Sequence, residues 1–272
     1  MANRPLVTLT TDFGLADPYA AAMKGVILQH CPEAQIVDIS HQVPSHNILS
    51  GAFILANAAP FFPPNTVHVV VVDPSVGTDR AILVAQFGDQ LYVFPDNGII
   101  TFVKDSYPLQ NMVEVKKFDL LGIEGASNTF HGRDVFAPLV GYIFSGKPIS
   151  RLGTIPEHFT LLDLPEPQAD GGNMTGRVIH VDHFGNLITN ITRQHLQNRW
   201  PKLDDARLEV YCQNQHVGPL QTNYSRVPPG RPLALLNSMG MLELAVNQGR
   251  FSDAFDVGNG AEVSIRQPGE AK

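Results

Sequence analysis

Residues 67–80, Val67-His68-Val69-Val70-Val71-Val72-Asp73-Pro74-Ser75-Val76-Gly77-Thr78-Asp79-Arg80, constrain the fold more than any other stretch of this sequence. Valines fall on both faces of the strand that they predict. A strand apolar on both sides belongs inside a covered sheet, as where helices pack on each face of parallel strands. The run breaks at Asp73-Pro74 and turns at Gly77, ahead of Asp79 and Arg80. Charges that directly follow a buried strand are carried to the carboxyl edge of the sheet, where open α/β proteins build their sites. A capped strand with a solvated turn accounts for an isolated Asp-Pro more simply; other segments of the same kind shift the balance toward a site.

The rest of the first half fits such a sheet. Residues 6–9 read as a short apolar strand running into Thr10-Thr11-Asp12-Phe13-Gly14. Asp17-Pro18 then opens a helix, since a proline in the first turn gives up no hydrogen bond. Ala20, Met23, Val26 and Ile27 form its apolar stripe, which ends near Cys31-Pro32. A second strand covers 36–39, a second helix 47–59, a hairpin about Gly88-Asp89 joins 81–87 to 90–94, and a helix over 136–144 closes this half. Alternating strands and helices predict an α/β amino-terminal domain, residues 1–164, with a largely parallel layered sheet.

The pattern changes beyond Asp163. Residues 165–173 are polar and rich in Pro and Gly, which suits an interdomain linker. After it the strands are short and close together, at 175–181, 187–191, 208–212, 233–236 and 261–265, and long helical patterns are scarce. These features predict a smaller all-β, barrel-like domain over residues 174–272.

Composition narrows the possible functions. Of 272 residues, 43% are hydrophobic and 17% charged, enough for substantial cores. The net charge is −7 and no dense Lys/Arg run occurs, which argues against nucleic acid or an anionic membrane as partner. Cys31 and Cys212 stand far apart in neither a metal nor a redox spacing, as reduced thiols do. Residues 1–10 lack the apolar core of a secretion signal, and no apolar run reaches membrane-spanning length, so a cytoplasmic location is expected.

Four segments place polar residues at element ends. Asp12 follows the first strand, where an acid can accept two hydrogen bonds from a ribose diol, although it also suits a plain turn acceptor. The second segment is Asp73 to Arg80; the arginine is always protonated and is a poor base. The third, Asn128-Thr129-Phe130-His131-Gly132-Arg133-Asp134, crowds three ionisable groups that must pair or face a polar site. The fourth is split between residues 182–190 and 237–247. There Phe184 offers an aromatic face and Asn186 an amide suited to an adenine edge, while Asp182 and Ser238 could take the amine and carboxylate of an amino acid. Taken singly, the Gly-Asn and Asn-Ser-x-Gly pieces are ordinary tight turns. No G-x-G-x-x-G, no P-loop and no H-E-x-x-H is present, so neither a pyrophosphate cradle nor a metal site is indicated.

Together, Thr11-Asp12-Phe13-Gly14, Asp73-Pro74-x-Val76-Gly77, Asn128-x-Phe130-His131-Gly132-Arg133-Asp134, Phe184-Gly185-Asn186 and Asn237-Ser238-x-Gly240 resemble the S-adenosyl-L-methionine hydroxide adenosyltransferase family, relatives of the fluorinases and chlorinases. The resemblance covers residues 8–260 and implies an α/β domain followed by a β-barrel. It further implies a homotrimer with its site between subunits, and no cofactor, S-adenosyl-L-methionine being the substrate. The implied reaction is attack of water on C5′ to give adenosine and L-methionine. Asp73, Arg80 and His131 match the residues that handle the water. Asp12 matches the ribose ligand; Asp17, Asp182 and Ser238 match the methionine end; Phe184, Asn186 and the stretch from Ala245 to Asn247 match the adenine pocket.

Halide-using relatives carry Tyr-Ser where this chain has His131-Gly132, and the inserted loop of the fluorinase has no counterpart here; both differences favour water over halide. Met239 replaces an arginine of the fluorinase at the methionine end. The competing readings are a chlorinase-like halogenase, a hydrolase of another nucleoside, and a non-catalytic sensor of S-adenosyl-L-methionine or adenosine.

Overall fold

The computed structural model describes residues 4–122, 127–201 and 208–267. Two compact units divide the chain, Met1–Leu162 and Asp163–Lys272. No helix among the described residues is long and apolar enough to cross a membrane.

The first unit contains, in chain order, β1 (Leu6–Thr11), α1 (Tyr19–His30), β2 (Gln35–Ser40), α2 (Ile48–Ala58), β3 (Val67–Val71), β4 (Ile82–Phe87), β5 (Gln90–Pro95), α3 (Thr101–Ser106), β6 (Leu109–Val115), α4 (Ala137–Phe144) and the short β7 (Gly153–Thr154). Their sheet order is β2-β1-β3-β5-β4-β6-β7. The first four of these strands run parallel; β4, β6 and β7 add antiparallel pairs, and β4–β5 is the expected hairpin.

The valine run of β3 behaves as its sequence predicts. Val67, Val69 and Val71 enter one core with Met23, Ile27, Leu139 and Val140 of α1 and α4. Val70 and Val72 enter a second core with Leu55 and Val103 of α2 and α3. Strand alternation thus supplies both faces, which is the reason the stretch is apolar at every position but one. The exception, His68, is fully buried; it bonds Thr8 Oγ1 through Nδ1 at 2.7 Å and stacks on Tyr92. Burial lowers its pKa to about 4, so it is a neutral core residue. Asn47 caps α2, its side chain accepting from Ser50 N at 2.9 Å.

One register sets up the site. β1 pairs parallel to β3 with Thr11 opposite Val71. The residues that follow each strand, Asp12 and Asp73, therefore leave the sheet at the same carboxyl edge.

The second unit comprises β8 (Gln168–Asp170), β9 (Asn173–Val181), β10 (Leu187–Thr192), α5 (Arg193–Arg199), β11 (Glu209–Cys212), β12 (Gln215–Gln221), β13 (Pro232–Leu236), β14 (Met241–Val246), α6 (Phe251–Phe255) and β15 (Glu262–Arg266). Seven strands in the order β10-β14-β13-β12-β11-β15-β9 close into a barrel through β9–β10, with β8 outside β9. Closure removes the sheet edges and encloses a core that includes Leu187, Val210, Leu244 and Val263.

Part of the polar 165–173 segment is built into this unit, since Ala169 of β8 pairs with Met174 of β9. Two barrel strands lacked a sequence signal of their own. β12 contains Gly218 and Pro219, which read as a turn, and β14 follows the Asn237-Ser238 turn so closely that loop and strand merge in the pattern.

Candidate active site

Asp73 leaves β3 into a tight turn in which Val76 N donates to its carbonyl and Gly77 takes φ +83°. The Asp73 side chain is enclosed: Ser75 Oγ donates to Oδ1 at 3.1 Å and Arg80 Nε donates to Oδ2 at 2.7 Å. Only 3% of the Asp73 side chain and 6% of that of Arg80 are exposed, so this pair is screened little by water. The same guanidinium reaches across to the third segment, Arg80 Nη2 lying 2.9 Å from His131 Nδ1. A guanidinium has donors only, so Nδ1 must accept and the neutral ring carries its hydrogen on Nε2. Burial and the adjacent Arg80 charge hold His131 below the ordinary histidine range, against a smaller upward pull from Asp73.

His131 stands directly before a wide turn, Gly132–Phe136, in which Ala137 N reaches back to Gly132 O. Such turns re-aim side chains at the start of a helix. A Cβ on Gly132 would lie 3.0 Å from Phe130, 3.1 Å from Met23 and 3.3 Å from Phe13, so the close packing leaves little room for a side chain. Arg133 and Asp134 pair with each other, Arg133 Nη2 to Asp134 Oδ2 at 2.9 Å, which accounts for the charge crowding in this segment.

These residues open on a cavity of about 290 Å³ whose wall includes Asp12, Asp73, His131, Gly132, Phe13, Tyr19 and Phe130. Asp12 Oδ2 accepts from His46 N at 2.9 Å, and no partner is found for Oδ1 among the described residues. The turn under Asp12 is fixed from behind: Thr11 Oγ1 bonds His41 Nδ1 at 2.8 Å, and Gly14 N donates to His41 O at 2.7 Å. Phe13, Tyr19 and Phe130 meet as an aromatic cluster, with Tyr19 and Phe130 centroids 5.3 Å apart.

A second cavity of about 510 Å³ lies in the barrel unit, lined by Phe184, Asn186, Tyr224, Val246, Gln248, Gly249, His183 and Arg250. Asn186 is held by Asp182, which accepts from its backbone N at 2.8 Å and its Nδ2 at 3.0 Å. Phe184 projects with 68% of its surface exposed.

The pattern across both units decides the relationship. Residues 7–153 match the model of the SAM hydroxide adenosyltransferase N-terminal domain, and residues 176–264 match that of its C-terminal domain. The chain belongs to the SAM hydroxide adenosyltransferase family. It is 36% identical to an (R)-S-adenosyl-L-methionine hydrolase of Salinispora tropica, over 97% of this chain and 99% of that one. A fluorinase of Actinopolyspora mzabensis is more distant, at 24% identity over 97% of this chain and 97% of its own. The crystal structure of an uncharacterized conserved protein from Thermotoga maritima superposes with a TM-score of 0.88 at 34% identity, covering 96% of this chain and all of that one.

Among the residues singled out in this family member, Asp12, Asp73 and His131 share one cavity wall, and Arg80 ties the last two together. Phe184 and Asn186 share the other cavity. Asp17 is exposed on the turn before α1, and Ser238 is exposed on the turn before β14; neither lines these cavities. Ala245 is fully buried beside Leu233 and Leu235, and Asn247 is tied by backbone bonds to Gly230 and Arg231. Their neighbours form the wall instead: Val246 at the end of β14, and Gln248 and Gly249 from the turn that follows it. Tyr19, Ser45 and His46 on the first cavity and Tyr224 on the second lie outside the motifs that mark the other site residues. Ser45-His46 was detectable as a polar pair just before an N-cap. Tyr224 sits in a polar loop with no distinguishing pattern.

Proposed function

We propose that this protein is an adenosine-forming S-adenosyl-L-methionine hydrolase. Water attacks C5′ of the ribose, the C5′–sulfur bond breaks, L-methionine leaves as the neutral thioether, and adenosine and a proton are released. The sulfonium is already a good leaving group, so the reaction is written without a cofactor. The observation that carries this reading is the guanidinium of Arg80 spanning Asp73 and His131 at the wall of the cavity that holds Asp12.

In the proposed site the attacking water gives its proton to Asp73 and accepts a hydrogen bond from His131 Nε2. Its remaining lone pair then points at C5′. Arg80 fixes both partners, and Asp12 takes the ribose diol through Oδ1. Phe184 and Asn186 take the adenine. Asp17, Ser238 and Asp182 take the methionine end, Asp182 through lone pairs left beside its bonds to Asn186. The likeness to the hydrolase of Salinispora tropica supports this assignment. A halogenase is disfavoured by His131 and Gly132, where a halide site would need Tyr-Ser.

Turnover in ¹⁸O-water tests the reaction. Adenosine should carry the label at its 5′-hydroxyl, and added chloride or fluoride should give no 5′-halo-5′-deoxyadenosine. Unlabelled adenosine would exclude displacement by water, a halogenated product would favour the halogenase, and binding without turnover would favour the sensor.

We further propose that the site is completed between subunits of a homotrimer in the cytoplasm. The ribose and water-handling groups belong to one unit and the adenine groups to the other, and a heterologous contact between copies closes into a ring. Co-expressed Asp12→Ala and Asn186→Ala chains should then form mixed oligomers that regain activity, since some junctions pair two intact halves. Mixed oligomers no more active than either parent, or a monomer by light scattering, would sink the shared site.

A further inference from the structure

A carboxylate stands inside the barrel wall where packing alone calls for none. Glu243 is 4% exposed, lies between Leu242 and Leu244 on β14, and pairs across the sheet with Ile188 and Leu235. Burying a charge among such neighbours is unfavourable unless it is well bonded. Its partners are specific: Tyr224 Oη donates to Oε1 at 2.5 Å, and Asn237 Nδ2 donates to Oε2 at 3.3 Å. Asn237 in turn accepts at Oδ1 from Met239 N at 3.0 Å and Met241 N at 3.1 Å, which shapes the turn carrying Ser238.

We propose that Glu243 is a positioning residue: it holds the Tyr224 ring as a wall of the nucleobase pocket and, through Asn237, keeps the Ser238 turn in the same frame. Tyr224 lies on a single short turn, Tyr224–Arg226, and is 43% exposed, so packing does little to orient it. A hydrogen bond to a charged acceptor is stronger than a neutral one and fixes the ring through its far end. The ring shares its cavity with Phe184 and Asn186, and Asn186 is anchored by another acid, Asp182. Burial raises the pKa of Glu243, and Asp182 adds to the rise, while the bonds from Tyr224 and Asn237 oppose it. These opposing influences are those of an acid kept for its bonds.

The pocket's ligand is taken from the proposed hydrolase reading, and two measurements separate the claims. The first is KM and kcat for S-adenosyl-L-methionine in Glu243→Leu, Glu243→Gln and Tyr224→Phe chains; the second is the Kd of adenosine for each. Glu243→Leu should raise KM and adenosine Kd about tenfold, the usual scale for one hydrogen bond to a charged group, with kcat within about twofold. Glu243→Gln keeps an acceptor for the phenol and should stay within about threefold of the parent. Tyr224→Phe should match Glu243→Leu in adenosine Kd and raise KM no further than it does, because Glu243→Leu also frees Asn237. The double variant should be no worse than Glu243→Leu alone, because the Tyr224 bond is already lost there.

A merely structural role would lower the melting temperature without this selective loss of affinity. If Glu243→Leu does not fold, Tyr224→Phe decides alone: unchanged KM and adenosine Kd overturn the proposal. Additive effects in the double variant, or a fall in kcat at constant KM, also overturn it. A parent protein that binds adenosine but does not cleave S-adenosyl-L-methionine refutes the hydrolase, and the adenosine affinities still judge Glu243.

Discussion

Exchanging Asp73 for Asn is expected to lower kcat by about 10²–10⁴, the range for loss of a positioned proton acceptor, with KM within a few-fold. The amide still accepts from Arg80 but cannot take up the water's proton. His131→Ala should also lower turnover strongly and leave affinity within several-fold, because its contact is with the reacting oxygen. Asp12→Ala should act the other way and weaken affinity first, through the ribose hydroxyls. Steady-state kinetics on the three variants separates these roles; a His131→Ala chain with near-normal turnover would remove that residue from the mechanism.

The pH profile follows from the same geometry. His131 is held below its ordinary range, so the neutral ring that accepts from Arg80 persists as pH falls through the value of a free histidine. Activity should therefore stay level across that range and fall only as pH drops through the depressed value, where a proton on Nδ1 would face the guanidinium. Stability moves with the same sign. Between the two pKa values the unfolded chain binds the extra proton, so acidification through that window destabilises the fold. A kcat/KM profile that breaks at the ordinary histidine value would contradict the Arg80–His131 contact.

Gly77→Ala should be damaging in both stability and turnover. Gly77 has φ +83°, and a Cβ there would lie 2.4 Å from the carbonyl oxygen of Asn128. The close approach brings the turn of Asp73 and Arg80 against the segment leading to His131, so relieving the clash must separate the groups that Arg80 joins. Backbone strain of this kind costs about 1–3 kcal/mol before the clash is counted. Gly25→Ala is the control: Gly25 is exposed on α1, has ordinary φ, and a Cβ there meets nothing within 4 Å. That change should be neutral or stabilise by about 0.4–1 kcal/mol. Thermal melting and kcat on both variants check the contrast, and a Gly77→Ala chain that melts and turns over like the parent would show that the close approach is dispensable.

Much of this molecule is written in local signals. The valine run specified a strand covered on both faces because side chains alternate along β structure, and both cores are present around β3. Asn47 and Gly88-Asp89 marked element boundaries because capping and turn chemistry act over a few residues, and Pro18 stands at the start of α1 without a side-chain cap. The ordered motifs also indicated the family across both units. β12 escaped notice because Gly218 and Pro219 oppose a strand locally, and only its barrel neighbours β11 and β13 overrule them.

What the tertiary structure alone decided are relations between distant parts of the chain. The register of β1 on β3 places Asp12 and Asp73 at one edge. Arg80 meets a histidine 51 positions away, and that contact assigns the imidazole its tautomer and leaves proton uptake to Asp73 in the proposed mechanism. Glu243 finds its phenol 19 positions away across the barrel wall. Periodicity and turn preference report what each residue does with its immediate neighbours. Hydrogen-bond partners and the burial that shifts a pKa depend on which distant segments the fold brings within a few ångströms.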